Sequence, residues 1–171
     1  HLLLMAAFTA IPAVMTEQVG LPPGQHAWLY LATLCGALPG VAMLVRRRQE
    51  LDDPRPLLAL SVLLTVLGLV TALWTSSLLV LGVGLMLFFL GFTALETILP
   101  ALVSIVAPTS LRGTAMGIFS SAQFLGVFTG GALGGNALHV GGAAGLVAVL
   151  SMLTGIWLAG LWRYGQAPVA A

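Results

Sequence analysis

What most constrains this chain is its succession of long apolar runs separated by short polar or Pro/Gly breaks. The longest uninterrupted stretch, from Pro56 to Leu111, carries one ionisable side chain, Glu96. A bilayer core demands about 20 consecutive, mostly apolar residues per crossing helix. Such runs have no place in a water-soluble fold, because each would be apolar on every face. The composition agrees: of 171 residues 59% are hydrophobic and 6% charged, against about a quarter charged in an ordinary soluble domain. The expected fold class is all-α, a polytopic membrane protein of six transmembrane helices.

Hydropathy places the spans near 2–18, 26–45, 57–74, 77–105, 113–136 and 142–162. The breaks are GLPPGQ (20–25), the charged segment RRRQELDDPRP (46–56), WTSS (74–77), APTSLRG (107–113) and ALHVGG (137–142). All six basic residues, Arg46, Arg47, Arg48, Arg55, Arg112 and Arg163, fall in the second and fourth connections or after the last span. With six alternating helices these positions share one side of the membrane. The positive-inside rule makes that side cytoplasmic, and with it both ends of the chain. The arginines then serve as topological anchors, and Arg46, Arg47 and Arg48 double as a candidate cytoplasmic gate.

Several function classes fall away. A net charge of +1 and the lack of a basic stripe with interleaved aromatics argue against nucleic-acid binding. Cys35, the single cysteine, supports neither a disulfide framework nor a zinc site and is expected to pack as a small residue. No HExxH motif or paired carboxylates are present for metal-assisted chemistry. Ser120 and Ser121 fall at a different depth from His139, so an intramembrane serine protease is not assembled either. No enzyme, metal or cofactor is expected.

Small residues and prolines mark helix contacts and bends. Gly126, Gly130 and Gly134 recur every four residues on one face of the fifth span, flanked by Gly131 and Gly135. Gly36 and Gly40, and Gly113 and Gly117, repeat the spacing, which lets a neighbouring backbone approach closely. Pro12, Pro39 and Pro100 each lie inside a span and remove a helix hydrogen bond.

Glu96 is the residue that needs a reason. An ionised carboxylate at mid-membrane costs about 2.5–3.5 kcal/mol on insertion scales. It must therefore hold a proton, face water or meet a cation, and no Arg or Lys lies at its depth. Its helical face carries Phe89, Phe92, Thr93, Leu99 and Pro100, and Gln123 on the next span is a polar group within prospective reach. Glu96, Thr93, Phe92 and Gln123 form the candidate cavity or proton-coupling group. Glu17, His26 and His139 are expected to be solvated at span ends.

The run GFTALETILPALVSIVAPTSLRGTAMGIFSSAQFLGVFTGGALGG (91–135) resembles the tenth and eleventh helices of the major facilitator superfamily, above all bacterial drug/proton antiporter-like members. The features that carry it are the helix ending in LPALVS, the loop with Pro108, the Arg112–Gly113 pair and the glycine ladder. More loosely the resemblance extends over all six spans. It implies the C-terminal half of a twelve-helix carrier, with the N-terminal half missing, which fits a chain that begins at His1 within an apolar stretch. It further implies alternating-access transport of a small organic compound across the bacterial inner membrane, with protons coupled to efflux through Glu96. The loop after Gly40 would hold a gating motif, but Leu44 stands where that motif has an acid, whereas Arg112 and Gly113 match the family's loop. A sugar or metabolite symporter or facilitator of the same fold, and a six-helix scaffold without transport, are the alternatives.

Overall fold

The computed structural model describes residues 1–164, and among them every regular element is helical. Helix α1 spans Leu2–Ala13 and widens into a π turn at Val14–Gln18. Pro12, lacking an N–H, interrupts the ladder just ahead of that turn, a common cause of such local rewinding. Gly20, at φ 73, then reverses the chain through Pro22 into α2, Pro23–Glu50. Helices α3 (Arg55–Leu73) and α4 (Leu78–Val106) follow. A short 3-10 turn at Thr109–Leu111 leads into the helical stretch Arg112–Tyr164, which breaks at Gly142 into α5 (112–141) and α6 (143–164).

Gly142 has φ 60 and ψ −157, a conformation open in practice to glycine alone. The chain folds back there, so that the Gly145 position meets the Ala137 carbonyl and Gly134 lies beside Leu146. The sequence places this last connection at residues 137–142, yet helical structure continues to 141. A run of Gly and Ala weakens a helix without ending it; the positive φ at Gly142 does the ending. Likewise Arg46, Arg47 and Arg48 belong to the last turns of α2 rather than to a loop, and the true connection is only 51–54.

Close contacts fix the helix directions. Gly36 and Gly40 of α2 approach Met86 and Leu90 of α4 in the same order, so α2 and α4 run parallel. Gly130 and Gly134 of α5 meet Leu2 and Ala6 of α1 in the same order, so these two also run parallel. Helices α3 and α4 are antiparallel: Gly68 lies against Gly84 and Phe88, and Gly91 against Ser61 and Thr65. A Cβ at Gly91 would come within 2.2 Å of the Ser61 carbonyl oxygen, and one at Gly68 within 2.3 Å of the Phe88 nitrogen. No side chain fits between these backbones. The small-residue row Ser61, Thr65, Gly68 and Ala72, all buried, is what allows the approach.

Directions therefore alternate along the chain, and the arginine-bearing ends of α2, α3, α5 and α6 gather at one end of the bundle. There Arg55 grips Asp53 with its guanidinium, Nη2 to Oδ2 at 2.8 Å, and stacks 5.2 Å from the Trp162 ring of α6. Four helical stretches, Pro23–Glu50, Arg55–Leu73, Leu78–Val106 and Thr109–Arg163, are long and apolar enough to cross a membrane, with a shorter apolar helix at Leu2–Gln18. Two apolar clusters fill the interior. The larger joins Ile11, Met15, Leu69, Leu85, Phe88 and Leu146, and the smaller centres on Leu57, Leu58, Ala94 and Ile98. Cys35 corrects the expectation for it: it is exposed, because α2 buries the face of Thr33, Ala37, Val41 and Leu44 and turns Cys35 outward.

Candidate functional site

On α4, Phe88, Phe92 and Glu96 recur at four-residue spacing and so stand one above another on the same face. The Phe88 and Phe92 rings stack with centroids 6.1 Å apart and planes 5° from parallel. One turn further the carboxylate meets polar side chains from two other helices. Nδ1 of His1, at the start of α1, lies 3.2 Å from Glu96 Oε1. Nε2 of Gln123 on α5 donates to the same oxygen at 3.4 Å. The His1 ring also packs edge-on against Phe92, centroids 5.7 Å apart.

This meeting depends on the glycine ladder. A Cβ at Gly130 would lie 2.5 Å from the Leu2 carbonyl oxygen, and one at Gly126 would touch His1 at 3.4 Å. Only with hydrogen at Gly130 does α1 settle against α5 deeply enough to carry His1 to Glu96, whereas a Cβ at Gly126 would make an ordinary contact. Gln123 sits one turn before Gly126, so the same contact brings all three side chains level. Pro100 adds a further polar feature: with no N–H of its own, it offers none to the Glu96 carbonyl four residues earlier.

Rings continue away from this point. Phe88 meets Phe89 at 5.5 Å, Phe89 meets Tyr30 of α2 at 6.2 Å, and Tyr30 meets Phe8 of α1 at 5.4 Å. Six rings from three helices thus form one chain ending at Phe8, and its fifth member, Tyr30, has a buried hydroxyl without a hydrogen-bond partner among the described residues. Toward the arginine end, α4 and α5 splay around an apolar groove of about 580 Å³ lined by Leu102, Val106, Pro108, Leu111 and Ile118 among others. Its nearest lining residues, Leu102 and Ile118, stand about 7–9 Å along the helix axes from the Glu96–Gln123 contact, at 1.5 Å per residue.

The sequence-derived candidates are placed as follows. Glu96, Phe92 and Gln123 come together around His1. Thr93 is half-buried on α4, and its carbonyl accepts the Thr97 hydroxyl. Arg48 Nη1 donates to the Leu51 carbonyl and so caps the C-terminus of α2. Arg46, Arg47 and Arg112 are exposed, and no acidic side chain among the described residues pairs with them. At Gly113 an added Cβ would meet nothing within 4 Å. His26, expected as a solvated end residue, is half-buried: its Nε2 donates to the Leu21 carbonyl at 3.0 Å and stands 3.5 Å from the Thr16 hydroxyl, closing the α1–α2 turn. Among the described residues no three His, Cys, Asp or Glu side chains cluster as a metal site would require.

His1 is not among the residues expected at the site: its signal in the sequence is a lone histidine opening an apolar helix, whereas Arg and Lys are the expected partners of a carboxylate at that depth. The tight α3–α4 seam was also passed over, although its small residues recur at 61, 65, 68 and 72.

Comparison with known proteins points the same way. No family model matches the chain. It is 34% identical over 160 residues to the inner membrane transport protein YajR of Escherichia coli, a match covering 92% of this chain and 35% of that protein. It is 30% identical over 133 residues to an uncharacterized transporter of Buchnera aphidicola subsp. Acyrthosiphon pisum, covering 76% of this chain and 33% of the relative. A third match, 50% identical over 52 residues, covers 30% of this chain and 13% of an uncharacterized transporter of the subspecies Baizongia pistaciae. The chain thus spans about a third or less of the length of these curated relatives. It is an all-α, multi-pass membrane protein related to membrane transport proteins.

Proposed function

We propose that this chain is the C-terminal six-helix half of a twelve-helix major facilitator carrier of the drug/proton antiporter-like branch. In this reading it lies in a bacterial inner membrane with its arginine-rich end in the cytoplasm, and it exports a small amphiphilic compound in exchange for protons. The observation that carries it is the Glu96 carboxylate, set among apolar helices of a transporter relative and met by a histidine and an amide. Structural carboxylates are seldom placed at that depth, whereas proton relays need them there. Phe92 and the groove beside Leu102 and Ile118 supply the apolar surface an amphiphile requires, next to a group able to alternate between proton and cationic head. The exposed apolar faces of α2 and α5, Trp28 at 71% and Phe124 and Phe128 at 73% and 74%, suit lipid and the N-terminal half of such a carrier.

The test is the Glu96→Gln variant of the full-length protein in proteoliposomes with an imposed pH gradient and ethidium as transported probe. Gradient-driven ethidium movement is expected to fall by about a hundredfold, the usual scale of a lost proton-transfer group. Unchanged movement would remove Glu96 from coupling. Movement that ignores the gradient in the unmodified protein would favour a facilitator.

A further inference from the structure

The groove between α4 and α5 joins two surfaces of opposite chemistry. Its walls, around about 580 Å³, are apolar but for Thr114. Arg112 stands at its mouth, next in sequence to the lining residue Leu111 and two positions before Thr114. The Arg112 side chain is exposed and forms no ion pair among the described residues. The sequence supplies no acid on α5 or on the connection before it, since no Asp or Glu follows Glu96. An apolar trough with an uncompensated cation at its open end matches an amphiphile with a negative head. We propose that the groove holds an anionic phospholipid of the surrounding bilayer, its acyl chain against Val106, Leu111, Ala115 and Ile118 and its phosphate at Arg112 and Thr114. The inference needs only that α4 and α5 cross a membrane, and it is independent of proton coupling at Glu96.

Depth and charge agree. Pro108 and Leu111 lie at the arginine end, and Ile118 lies further along α5, about 10 Å deeper at 1.5 Å per residue. An acyl segment laid along that depth stays in hydrocarbon while its head remains at the interface. An arginine reaches the head there by extending its own apolar stem. Its fork of N–H groups meets phosphate oxygens two at a time, and Thr114 adds a hydroxyl donor on the groove side. In the orientation proposed above this end faces the cytoplasmic leaflet, whose lipids carry negative charge. Of the other arginines, Arg48 is used on the Leu51 carbonyl and Arg55 on Asp53. Arg46, Arg47 and Arg163 stand on α2 and α6, which contribute nothing to the lining. A lipid head at Arg112 and a substrate head at Glu96 fall at opposite ends of the groove, so neither displaces the other's charge partner.

Native mass spectrometry of the full-length protein in neutral detergent tests the site, read at the first bound lipid. The probes are dioleoyl phosphatidylglycerol and dioleoyl phosphatidylcholine, in which a choline cation offsets the phosphate. Phosphatidylglycerol is expected to bind about fivefold more tightly, the scale of one arginine near a lipid surface. Arg112→Gln should erase that preference. Arg47→Gln, which removes an exposed arginine of the same end away from the groove, should keep it. Ala115→Trp, which fills the groove, should weaken both lipids, with helix content by circular dichroism confirming the fold. Equal binding of the two lipids to the unmodified protein, or a preference that survives Arg112→Gln, overturns the proposal. A preference lost equally in Arg47→Gln assigns it to the diffuse charge of this end, and binding untouched by Ala115→Trp means that another part of the protein fills the groove; either result also overturns it. Inorganic phosphate, the headgroup chemistry without a chain, should not displace phosphatidylglycerol at equal concentration; displacement would mark a plain anion site and overturn the lipid. None of these outcomes bears on Glu96, whose own variant decides the coupling reading.

Discussion

At the scale of single residues, the ionisable groups of this protein sort by what surrounds them. Asp53 accepts the Arg55 backbone N–H and both arms of its guanidinium at 2.8–3.0 Å. Those hydrogen bonds hold its carboxyl below the ordinary value of 3.8. A carboxyl lowered by folding contributes stability that is present above its unfolded value and disappears as pH falls through the folded one. The contribution of this surface pair is small and screened by salt. Asp53→Asn is accordingly expected to be mildly less stable than the unmodified protein at neutral pH. The two should converge once pH drops well below 3.8, with thermal unfolding in detergent at low ionic strength as the measurement. Glu96 was legible in the sequence as a group needing an explanation, since one charge in a long apolar run cannot be accidental in cost. Its histidine partner was not, because which residue of α1 lies level with it depends on how far α1 slides along α5.

At the scale of elements, stability rests on backbones in contact rather than on burial from water, since lipid is as apolar as leucine. Gly91→Ala is expected to cost about 1–3 kcal/mol, the range for forced overpacking. The obstruction is the backbone of α3, 2.2 Å from the new atom, and it cannot swing aside as a side chain does. Gly82→Ala, where nothing lies within 4 Å, serves as the control and should be neutral. Gly142→Ala is expected to cost about 1–3 kcal/mol for a different reason, backbone strain at positive φ. The neighbouring Gly141→Ala meets nothing and should be neutral or slightly stabilising. Reversible unfolding in mixed micelles measures all four. The Gly126–Gly130–Gly134 spacing identified a contact face from sequence because a four-residue repeat stays on one side of a helix. Which helix it meets, α1, is not written in that repeat. The break between α5 and α6, expected over 137–142, falls at Gly142 alone, because glycine content does not tell which glycine adopts positive φ.

At the scale of the whole molecule, broad apolar faces remain uncovered: α2 exposes Leu31, Leu38 and Met43, and α5 exposes Ile118 and Leu125. If this is half of a two-repeat carrier, the native protein has at least about twice the 17.6 kDa of this chain, as two six-helix repeats demand. Intact-mass measurement on the native protein is the check, and a mass near 17.6 kDa would leave transport to a pair of copies. On the same reading, the chain by itself in proteoliposomes is expected to move no ethidium along a pH gradient, because a midplane site between two halves would have only one wall.

The sequence by itself determined that this is an all-helical membrane protein, roughly where each helix runs, and that its arginines belong to one end. Those features follow from hydropathy and helix parity, which are local or additive. Only the tertiary structure decided that His1, Glu96 and Gln123 meet at one level, that His1 and Gln123 approach the same carboxylate oxygen, and that Cys35 faces outward. Each of these depends on the rotation and axial offset of one helix against another. Such offsets are set by where backbones can touch, at Gly68, Gly91, Gly126 and Gly130, and no single helix carries that information alone.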